Sequence, residues 1–330
     1  MELPAALRQA VDAALENIAV GDLAAAARTL SDRYRGETRD GALHIADDLA
    51  ARAYLATRLP ATFAAISAVF SAVAELRPDF APQSVLDVGA GPGTATWAAA
   101  QFWPLSDALL LERSNAICSY GEAFARVSPI ARIGWLDTDL SKALPDGPAR
   151  DLVVIAYVLN ELEVGEAERL IEKSWERSGD LLVVVEPGTP AGWHRILRAR
   201  NILLRKGAHP VAPCAHAQAC PLTAPDWCHF SRRVARSRIH RLVKHAEVPW
   251  EDEKFSYLAV SRRPAAAIAG RVLAPPKTGS GRVSLKLCRA DGTAGEQLVT
   301  RREGLLYKLA RRLGWGDALP AGRGPLRRSP

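Results

Sequence analysis

Apolar residues recur through the first eighty positions at a spacing that places them on one face of a helix. Three stretches show this spacing most clearly, at 23–33, 45–59 and 62–76. The first twenty residues also have an amphipathic helical pattern, and Pro60 and Pro78 interrupt the later stretches. Residues 1–80 are therefore predicted to form an N-terminal helical region.

The pattern changes at Ser84, where short apolar runs begin to alternate with helical stretches. The runs predict strands at 84–89, 109–112, 133–136, 151–157 and 181–186. The stretches predict helices at 94–102, 115–127, 163–178 and near 193–206. Strands that alternate with helices at this spacing form a parallel sheet covered on both faces. The fold class is therefore α/β, with a Rossmann-like core over residues 81–206.

The regularity is lost after residue 206. Residues 209–228 are rich in Pro, Cys and His and show neither a strand nor a helix period. Such long irregular segments are usually functional or held by a ligand, so we expect a Cys-rich, metal-binding and basic insertion over 207–245. Final sheet strands and a basic C-terminal extension are predicted over 246–318, with strands at 255–261 and 283–288 and a basic helix at 304–313. Residues 319–330 are predicted to be a disordered tail.

A glycine-rich loop follows the first predicted strand, with Asp87, Gly89, Gly91 and Gly93 at alternate positions. Glycines between a strand and a helix let the chain turn sharply and let a ligand approach the backbone, beside the free N–H groups of the helix. The loop lacks the Lys-Ser/Thr of a phosphate-binding P-loop. An acid before the glycines would repel a pyrophosphate but suits the cationic, amino-acid end of S-adenosylmethionine.

Further acids follow the next two strands. Glu112 closes the second strand, where a carboxylate can accept both ribose hydroxyls of a nucleoside. Asp139 is the candidate partner for the adenine amine, with Asp137 as the competing choice. The sequence thus predicts a binding site for S-adenosylmethionine. The alternatives are a dinucleotide-binding oxidoreductase and a degenerate fold that binds nothing.

The fourth strand ends in a segment that carries the candidate catalytic residues, Asn160 and Glu161. It lacks the Asp/Asn-Pro-Pro-Tyr/Phe motif of amino-group methylation, and no cysteine stands where pyrimidine C5 methylation needs a nucleophile. Methyl transfer depends mainly on in-line positioning, so a missing base does not decide the question. An active methyltransferase and a binding-only descendant both remain open.

The charge is divided unevenly along the chain. Its total is +7, but residues 1–190 hold 16 Lys/Arg against 27 Asp/Glu, and residues 191–330 hold 27 against 9. A C-terminal half with a net charge of +18 indicates a polyanionic partner, and we expect nucleic acid. A basic surface that only confers solubility is the alternative.

Two basic groups are candidates for RNA contact. The first follows the cysteines and has no acid among its members: Arg232, Arg233, Arg236, Arg238, Arg241 and Lys244. Guanidinium groups pair with phosphate in a bidentate manner. The second combines cations and aromatic residues: Tyr307, Lys308, Arg311, Arg312 and Trp315. Its aromatic rings could stack on RNA bases, but we expect them to pack the C-terminal helix on the core.

Three of the five cysteines, Cys214, Cys220 and Cys228, lie in the irregular segment. An odd number of cysteines makes structural disulfides improbable, so metal ligation is the default for such a group. Their spacing is wider than that of usual zinc pairs and fits a bulkier centre. A cubane iron–sulfur cluster needs four thiolates, and Cys288 is the candidate for the fourth.

Other interpretations of the cysteines stay open. Zinc, with His216 or His229 as the fourth ligand, is the alternative metal. Three unrelated buried thiols are a further alternative. Cys118 is expected to be a small buried apolar residue within a helix.

Several motifs together resemble one known family. They are the loop at 86–93, the Tyr-Val-Leu-Asn-Glu-Leu segment at 157–162, Glu-Pro-Gly at 186–188, and the Cys-Pro and Trp-Cys-His-Phe segment. The chain resembles, from about residue 30 onward, the methyltransferase-like family associated with the mitochondrial small ribosomal subunit and its bacterial relatives. The resemblance implies a seven-stranded class I methyltransferase sheet, ending with strands 255–261 and 283–288. It also implies a four-iron, four-sulfur cluster on Cys214, Cys220, Cys228 and Cys288.

The same resemblance implies a role in small-subunit assembly or translation, with the small ribosomal subunit and its rRNA as partners. We expect a monomer with no membrane segment, and, because no mitochondrial presequence is visible, a bacterial cytoplasmic protein. Two other functions remain as alternatives. One is a methyltransferase of a non-RNA substrate with a purely structural metal site, and the other is a redox- or iron-sensing RNA-binding protein.

Overall fold

The computed structural model describes residues 2–321. Within that range the helices are α1 (Ala5–Ala14), α2 (Val20–Arg35), α3 (Asp48–Thr57), α4 (Leu59–Leu76), α5 (Thr94–Ala99), α6 (Asn115–Ala125), α7 (Val164–Glu176), α8 (Pro190–Arg205), α9 (Arg238–Lys244) and α10 (Leu305–Ala310). The strands of the main sheet are β1 (Ser84–Val88), β2 (Asp107–Glu112), β3 (Arg132–Asp137), β4 (Arg150–Ala156), β5 (Ser178–Pro187), β6 (His209–Ala212), β7 (Phe230–Ala235) and β8 (Trp250–Ser261). Those of a second sheet are β9 (Ile268–Val272), β10 (Lys277–Gly279), β11 (Arg282–Arg289), β12 (Ala294–Thr300) and β13 (Ala318–Pro320).

The main sheet runs in the order β3-β2-β1-β4-β5-β8-β6, and β7 pairs with β8. The first five of these strands are parallel, and β8 is antiparallel to β5. Apolar residues alternate between the two faces, since Val85 packs in one core cluster and Leu86 in the other. Burial on both faces is what a continuous apolar run requires. The predicted α/β fold with a Rossmann-like sheet is confirmed.

The predicted N-terminal helical region consists of helices α1 to α4, and these helices pack on one face of the sheet. Helix α4 is 18 residues long and apolar enough, by length and composition, to cross a membrane. Within the fold, however, 67% of it is buried, because residues such as Phe63 and Phe70 lie in the main core cluster.

The strand predicted at 283–288 exists, but its assignment to the main sheet was wrong. As β11, it pairs with β9, β10 and β12 in the second sheet. Its alternate residues Val283, Leu285 and Leu287 form a separate small core with Tyr307 and Ala310 of α10. Strand β13 brings residues 318–320 into this sheet, so the prediction of disorder was wrong for residues 319 and 320; residues 322–330, for which disorder was also predicted, lie outside the described residues.

One further expectation needs correction. The irregular segment 209–228 begins with a strand, β6, because His209, Pro210 and Ala212 pair with β8. The basic stretch 232–244 is divided between β7 and α9, because β7 pairs along its whole length with the first half of β8.

Candidate functional site

A pocket of about 270 Å³ opens at the carboxyl ends of β1, β2 and β4. This edge is where open α/β sheets bind their ligands. Four of the six residues predicted to bind S-adenosylmethionine line it: Gly89, Gly91, Glu112 and Asp139. The structure thus brings most of the predicted site residues to the wall of one cavity.

The glycine loop is shaped by left-handed backbone at its three glycines. A Cβ on Gly89 would lie 2.3 Å from the Val158 side chain, so only glycine fits between β1 and the residues after β4. A Cβ on Gly91 would meet no protein atom within 4 Å, because Gly91 borders the pocket. The loop therefore presents bare backbone to the space where a ligand would lie.

Asp87 holds this loop to the helix that follows it. Its side chain is buried, and its Oδ2 accepts hydrogen bonds from Thr96 N, at 3.0 Å, and Thr96 Oγ1, at 2.8 Å. Burial raises the pKa of Asp87 to about 7, although the Thr96 bonds oppose this shift. Asp87 thus braces the start of α5, where Gly93 is the N-cap.

Glu112 and Asp139 face the pocket from two neighbouring strand ends. Glu112 Oε2 accepts from Gly91 N at 2.9 Å, and its Oε1 accepts from the backbone N–H groups of Arg113 and Ser114, both at 2.8 Å. Asp139 accepts from Ser141 N and Oγ, and the Ser141 hydroxyl lowers the pKa of its carboxyl. The competing residue, Asp137, is the exposed last residue of β3.

Both catalytic candidates also line the pocket. Asn160 is buried, and its amide oxygen has no hydrogen-bond partner among the described residues. Glu161 is an exposed residue that lines the pocket. Desolvation by the surrounding protein, together with the charges of Glu112 and Glu186, raises the pKa of Glu161 to about 8.

Tyr157 marks a strained position at the end of β4. Its φ is +60°, a left-handed conformation that costs a non-glycine residue roughly 1–2 kcal/mol. Its hydroxyl donates to Glu253 Oε1 at 3.1 Å, and Arg58 of the neighbouring helical region donates to the same oxygen at 3.3 Å. These bonds hold the tyrosine at the inner wall of the pocket, where Arg58 and Tyr157 are both lining residues.

The pocket also has a cover, whose residues were not among the predicted site residues. Residues 36–45, between α2 and α3, lie across it, and we call them the cover loop. Arg33 Nη2 donates to Asp40 at 2.8 Å, and Arg39 Nε donates to the carbonyl oxygen of Asn160 at 3.0 Å. No periodicity marks such a loop; the Arg-Asp-Gly turn at 39–41 is the only local signal in its sequence.

Arg195 of α8 ties the cover loop to the strand ends. Its guanidinium donates to both carboxylate oxygens of Glu37, at 3.0 and 2.9 Å, and to Glu186 Oε2 at 2.6 Å. Glu186 is fully buried at the end of β5 and also accepts from Leu159 N at 3.0 Å. Burial raises the pKa of Glu186 to about 7, and Arg195 opposes that shift.

The four predicted thiols lie around a second, smaller and apolar cavity of about 30 Å³. It is lined by Cys214, Cys220, Cys228 and Cys288, together with Arg200 and His216. Burial raises the pKa of Cys228 well above its usual value, and the other three thiols raise it further. The structure therefore brings Cys288 of the second sheet to the Cys-rich segment of the first.

Arg200 supplies a positive charge beside these thiols. Its side chain is buried, and its Nε lies 3.3 Å from Cys214 Sγ. Its Nη2 donates to the carbonyl oxygens of His216 and Gln218, at 2.9 and 2.6 Å. Arg200 thereby fixes the path of the irregular segment.

The two candidate zinc-binding histidines have different surroundings. His216 Nε2 lies 3.4 Å from Cys288 Sγ, whereas the His229 ring stacks on Trp227 at 4.7 Å and meets Trp315 edge-on.

Cys118 is separate from the thiol cavity, on α6, and burial raises its pKa to about 12.

The thiols share a cavity without converging on a point. Among the described residues, no group of three or more His, Cys, Asp or Glu side chains is arranged to hold a metal ion. A single zinc ion needs its ligands within about 2.0–2.3 Å of one centre. The cavity thus brings four thiols together, but the described residues are not arranged as the ligands of a metal site.

The predicted RNA-binding cations fall into two sets. Three are paired within the protein: Arg233 with Asp252, and Arg236 and Lys244 with Glu251. Arg232, Arg238 and Arg241 are exposed on β7 and α9. Trp315 donates its indole N–H to His229 O, and Tyr307 is buried, so these two aromatic residues pack inside the fold as expected.

Two mitochondrial proteins are similar in sequence to most of this chain. The human mitochondrial ribosome assembly protein METTL17 is 32% identical over 291 residues, which cover 81% of this chain and 62% of that protein. The Rsm22-cox11 tandem protein 2 of Schizosaccharomyces pombe, a mitochondrial protein, is 24% identical over 322 residues, covering 81% of this chain and 43% of its own. The chain therefore spans between 43% and 62% of the length of these relatives.

Solved structures that are similar to this chain include the magnesium protoporphyrin IX methyltransferase of Synechocystis. Its TM-score is 0.42, and its identity is 16% over 75% of this chain and 100% of that one. Another is the plantazolicin methyltransferase BpumL, with a TM-score of 0.39 and 12% identity over 74% and 98%. A family model described as mitochondrial small ribosomal subunit Rsm22 matches residues 48–320, which is most of the chain. The chain therefore belongs to the Rsm22 family.

Proposed function

We propose that this protein is an assembly or translation factor of the small ribosomal subunit, which binds S-adenosylmethionine and carries an iron–sulfur cluster. The observation that carries the ribosomal role is the match of residues 48–320 to the Rsm22 family, with a relative whose name is ribosome assembly protein. The basic C-terminal half supports an rRNA partner. A bacterial cytoplasmic location and a monomeric state remain predictions.

The ribosomal role is tested by sedimentation. Purified protein, prepared without oxygen, is mixed with separated small and large ribosomal subunits and run on sucrose gradients. We expect it to migrate with the small subunit and to be released as salt rises, because contacts to phosphate weaken with ionic strength. Equal binding to both subunits, or to neither, would contradict the proposed role.

Four features of the pocket support S-adenosylmethionine as its ligand. The left-handed backbone at Gly91 leaves the loop without a side chain at the pocket wall, Glu112 lines the pocket where a ribose would lie, and Asp139 lies on the next strand end. The unpartnered amide oxygen of Asn160 leaves an acceptor for a ligand amine. The bound ligand would supply an activated methyl group on a sulfonium ion.

Methyl transfer to rRNA is the second candidate activity. It is favoured by Asn160 and Glu161, which line the pocket where an acceptor would meet the methyl group. The chain's own contribution would be to hold the acceptor in line and to exclude water beneath the cover loop. Transfer of a tritiated methyl group to small-subunit rRNA, compared between wild type and Asn160→Ala, tests this activity.

The thiol cavity is proposed to hold a four-iron, four-sulfur cluster on Cys214, Cys220, Cys228 and Cys288. The donor set fits such a group in its chemistry, because four thiols line one apolar space. Thiolates that line one cavity repel one another, and the Arg200 guanidinium beside Cys214 offsets part of that charge. A bound cluster would link the irregular segment to the second sheet and would supply redox-active iron.

The cluster is tested by metal analysis of anaerobically purified protein. We expect about four irons per chain and broad absorbance near roughly 400 nm, as cubane clusters show. Each of the four single Cys→Ser variants should lose iron, whereas the control Cys118→Ser should keep it. A colourless protein with one zinc would show a zinc site instead, and full iron in Cys288→Ser would move the fourth ligand to His216.

A further inference from the structure

The segment that follows strand β12 of the second sheet carries a dense group of cations. Residues 301–312, which we call the basic segment, contain five Lys or Arg and one acid, Glu303. The five cations are all exposed: Arg301, Arg302, Lys308, Arg311 and Arg312. The Glu303 carboxylate is occupied, since it accepts from the backbone N–H and the hydroxyl of Thr300.

The fold turns these cations outward. Tyr307 and Ala310 face the small core of the second sheet, so the opposite side of α10 faces solvent. Lys308 lies in α10, Arg311 is the C-cap of this helix and Arg312 follows it, so the three cations are grouped at the carboxyl end of α10. Leu305, one turn before Lys308, is 71% exposed at the same surface.

Ion pairs are scarce here and common elsewhere. On the same sheet, Lys277 pairs with Glu296, and Lys286 pairs with Asp226. In the stretch after the cysteines, three of the six predicted RNA-binding cations are paired. Among the described residues, none of the five cations of the basic segment forms a salt bridge. The guanidinium carbon of Arg311 lies 5.9 Å from the centre of the Tyr307 ring. The sequence of residues 322–330 adds three Arg and no acid.

We infer that the basic segment is a docking surface for the backbone phosphates of small-subunit rRNA. This inference rests on the proposed ribosomal function and adds the place of contact. Like charges held close together repel, and phosphates would relieve that repulsion while their counterions are released. Exposed guanidinium groups suit bidentate phosphate contacts. Leu305 offers an apolar patch to a ribose or a base, whereas the aromatic residues of this region are inside the fold.

The test compares three triple variants of the full chain in binding to transcribed small-subunit rRNA at several salt concentrations. The first removes charge from the basic segment, with Arg301→Gln, Arg302→Gln and Lys308→Gln. The second changes the unpaired cations after the cysteines, with Arg232→Gln, Arg238→Gln and Arg241→Gln. The control removes the same charge from exposed, paired sites of the acidic half, with Arg8→Gln, Arg132→Gln and Lys173→Gln.

We expect the first variant to bind roughly tenfold more weakly and to reduce the slope of log affinity against log salt by about two, at about 0.7 for each phosphate that is no longer neutralised. The control should bind like wild type. Arg311→Gln with Arg312→Gln provides a second variant of the same surface, should the first unfold.

Opposite results would overturn the inference. One is wild-type affinity in both variants of the basic segment together with a large loss in the second triple variant. Another is that these variants bind more weakly than wild type to vesicles of phosphatidylglycerol and phosphatidylcholine, while their RNA binding is unchanged. This result would indicate a membrane surface as the partner. If wild type binds no small-subunit RNA at all, the proposed function fails first and the inference with it.

Discussion

At the scale of single residues, Glu161 is the titratable group that the pocket geometry singles out. Its pKa of about 8 means that the carboxyl is largely neutral at pH 7 and ionised at pH 9. S-adenosylmethionine carries a sulfonium charge, and S-adenosylhomocysteine does not. An ionised Glu161 would attract the first ligand and leave the second almost unaffected.

We therefore expect the affinity for S-adenosylmethionine to rise up to roughly tenfold as the pH increases from 7 to 9, since each pKa unit corresponds to a factor of ten. The affinity for S-adenosylhomocysteine should change much less. Fluorescence or calorimetric titrations at a series of pH values measure both. The same pH dependence for the two ligands, or its persistence in Glu161→Gln, would exclude Glu161 as the cause.

Residue types were easier to predict than residue contacts. Gly89, Gly91 and Glu112 could be chosen because a strand, a loop and a helix follow one another in the sequence, and the backbone alone brings them to the pocket. The hydrogen bonds of Asp87 could not be predicted, because the backbone N–H and the hydroxyl of Thr96, in the first turn of α5, both donate to its carboxylate. The role of Arg200 depends on a fold of the irregular segment that has no sequence pattern.

At the scale of elements, the cover loop depends on Arg195. Arg195→Ala would remove both bonds to Glu37 and leave the buried Glu186 without its cation. We expect a loss of about 3 kcal/mol in the free energy of unfolding, faster amide hydrogen exchange in residues 36–45, and faster release of S-adenosylmethionine. Exchange measured by mass spectrometry and stopped-flow release tests both effects.

Arg198→Ala is the matched control, because Arg198 lies on the same helix and pairs with Glu168 at the surface. It should leave exchange in the cover loop unchanged. Equal exchange rates in Arg195→Ala and Arg198→Ala would show that Arg195 does not hold the loop.

Strands with long apolar runs were predicted. Strands were missed or assigned to the wrong sheet where their place depends on which strand they pair with. The five parallel strands were predicted within a few residues, because burial on both faces demands continuous apolar runs. Strand β6 was missed, since it has four residues and contains Pro210. Strand β11 was recognised by its alternation, but alternation does not say which sheet a strand joins.

At the scale of the whole molecule, the thiol cavity joins the main fold to the second sheet. Arg200 comes from α8, and Cys288 and Leu273 come from the second sheet or its border. The charge split of −11 and +18 places the basic surface in the half that contains this junction. The sequence predicted the charge split, but not that the exposed, unpaired cations would concentrate on the basic segment.

The central claim is that this chain binds S-adenosylmethionine at the glycine loop, and calorimetry on wild type, Gly91→Ala and Gly207→Ala tests it most directly. Both glycines have positive φ, and a Cβ on either meets no protein atom within 4 Å, so the two variants share a similar backbone strain. Only Gly91 borders the pocket, whereas Gly207 follows α8. We expect one binding site in wild type and Gly207→Ala, and affinity at least roughly tenfold lower in Gly91→Ala, because a methyl group there would occupy ligand space. No binding heat with wild type, or equal affinity in the two variants, would contradict the account.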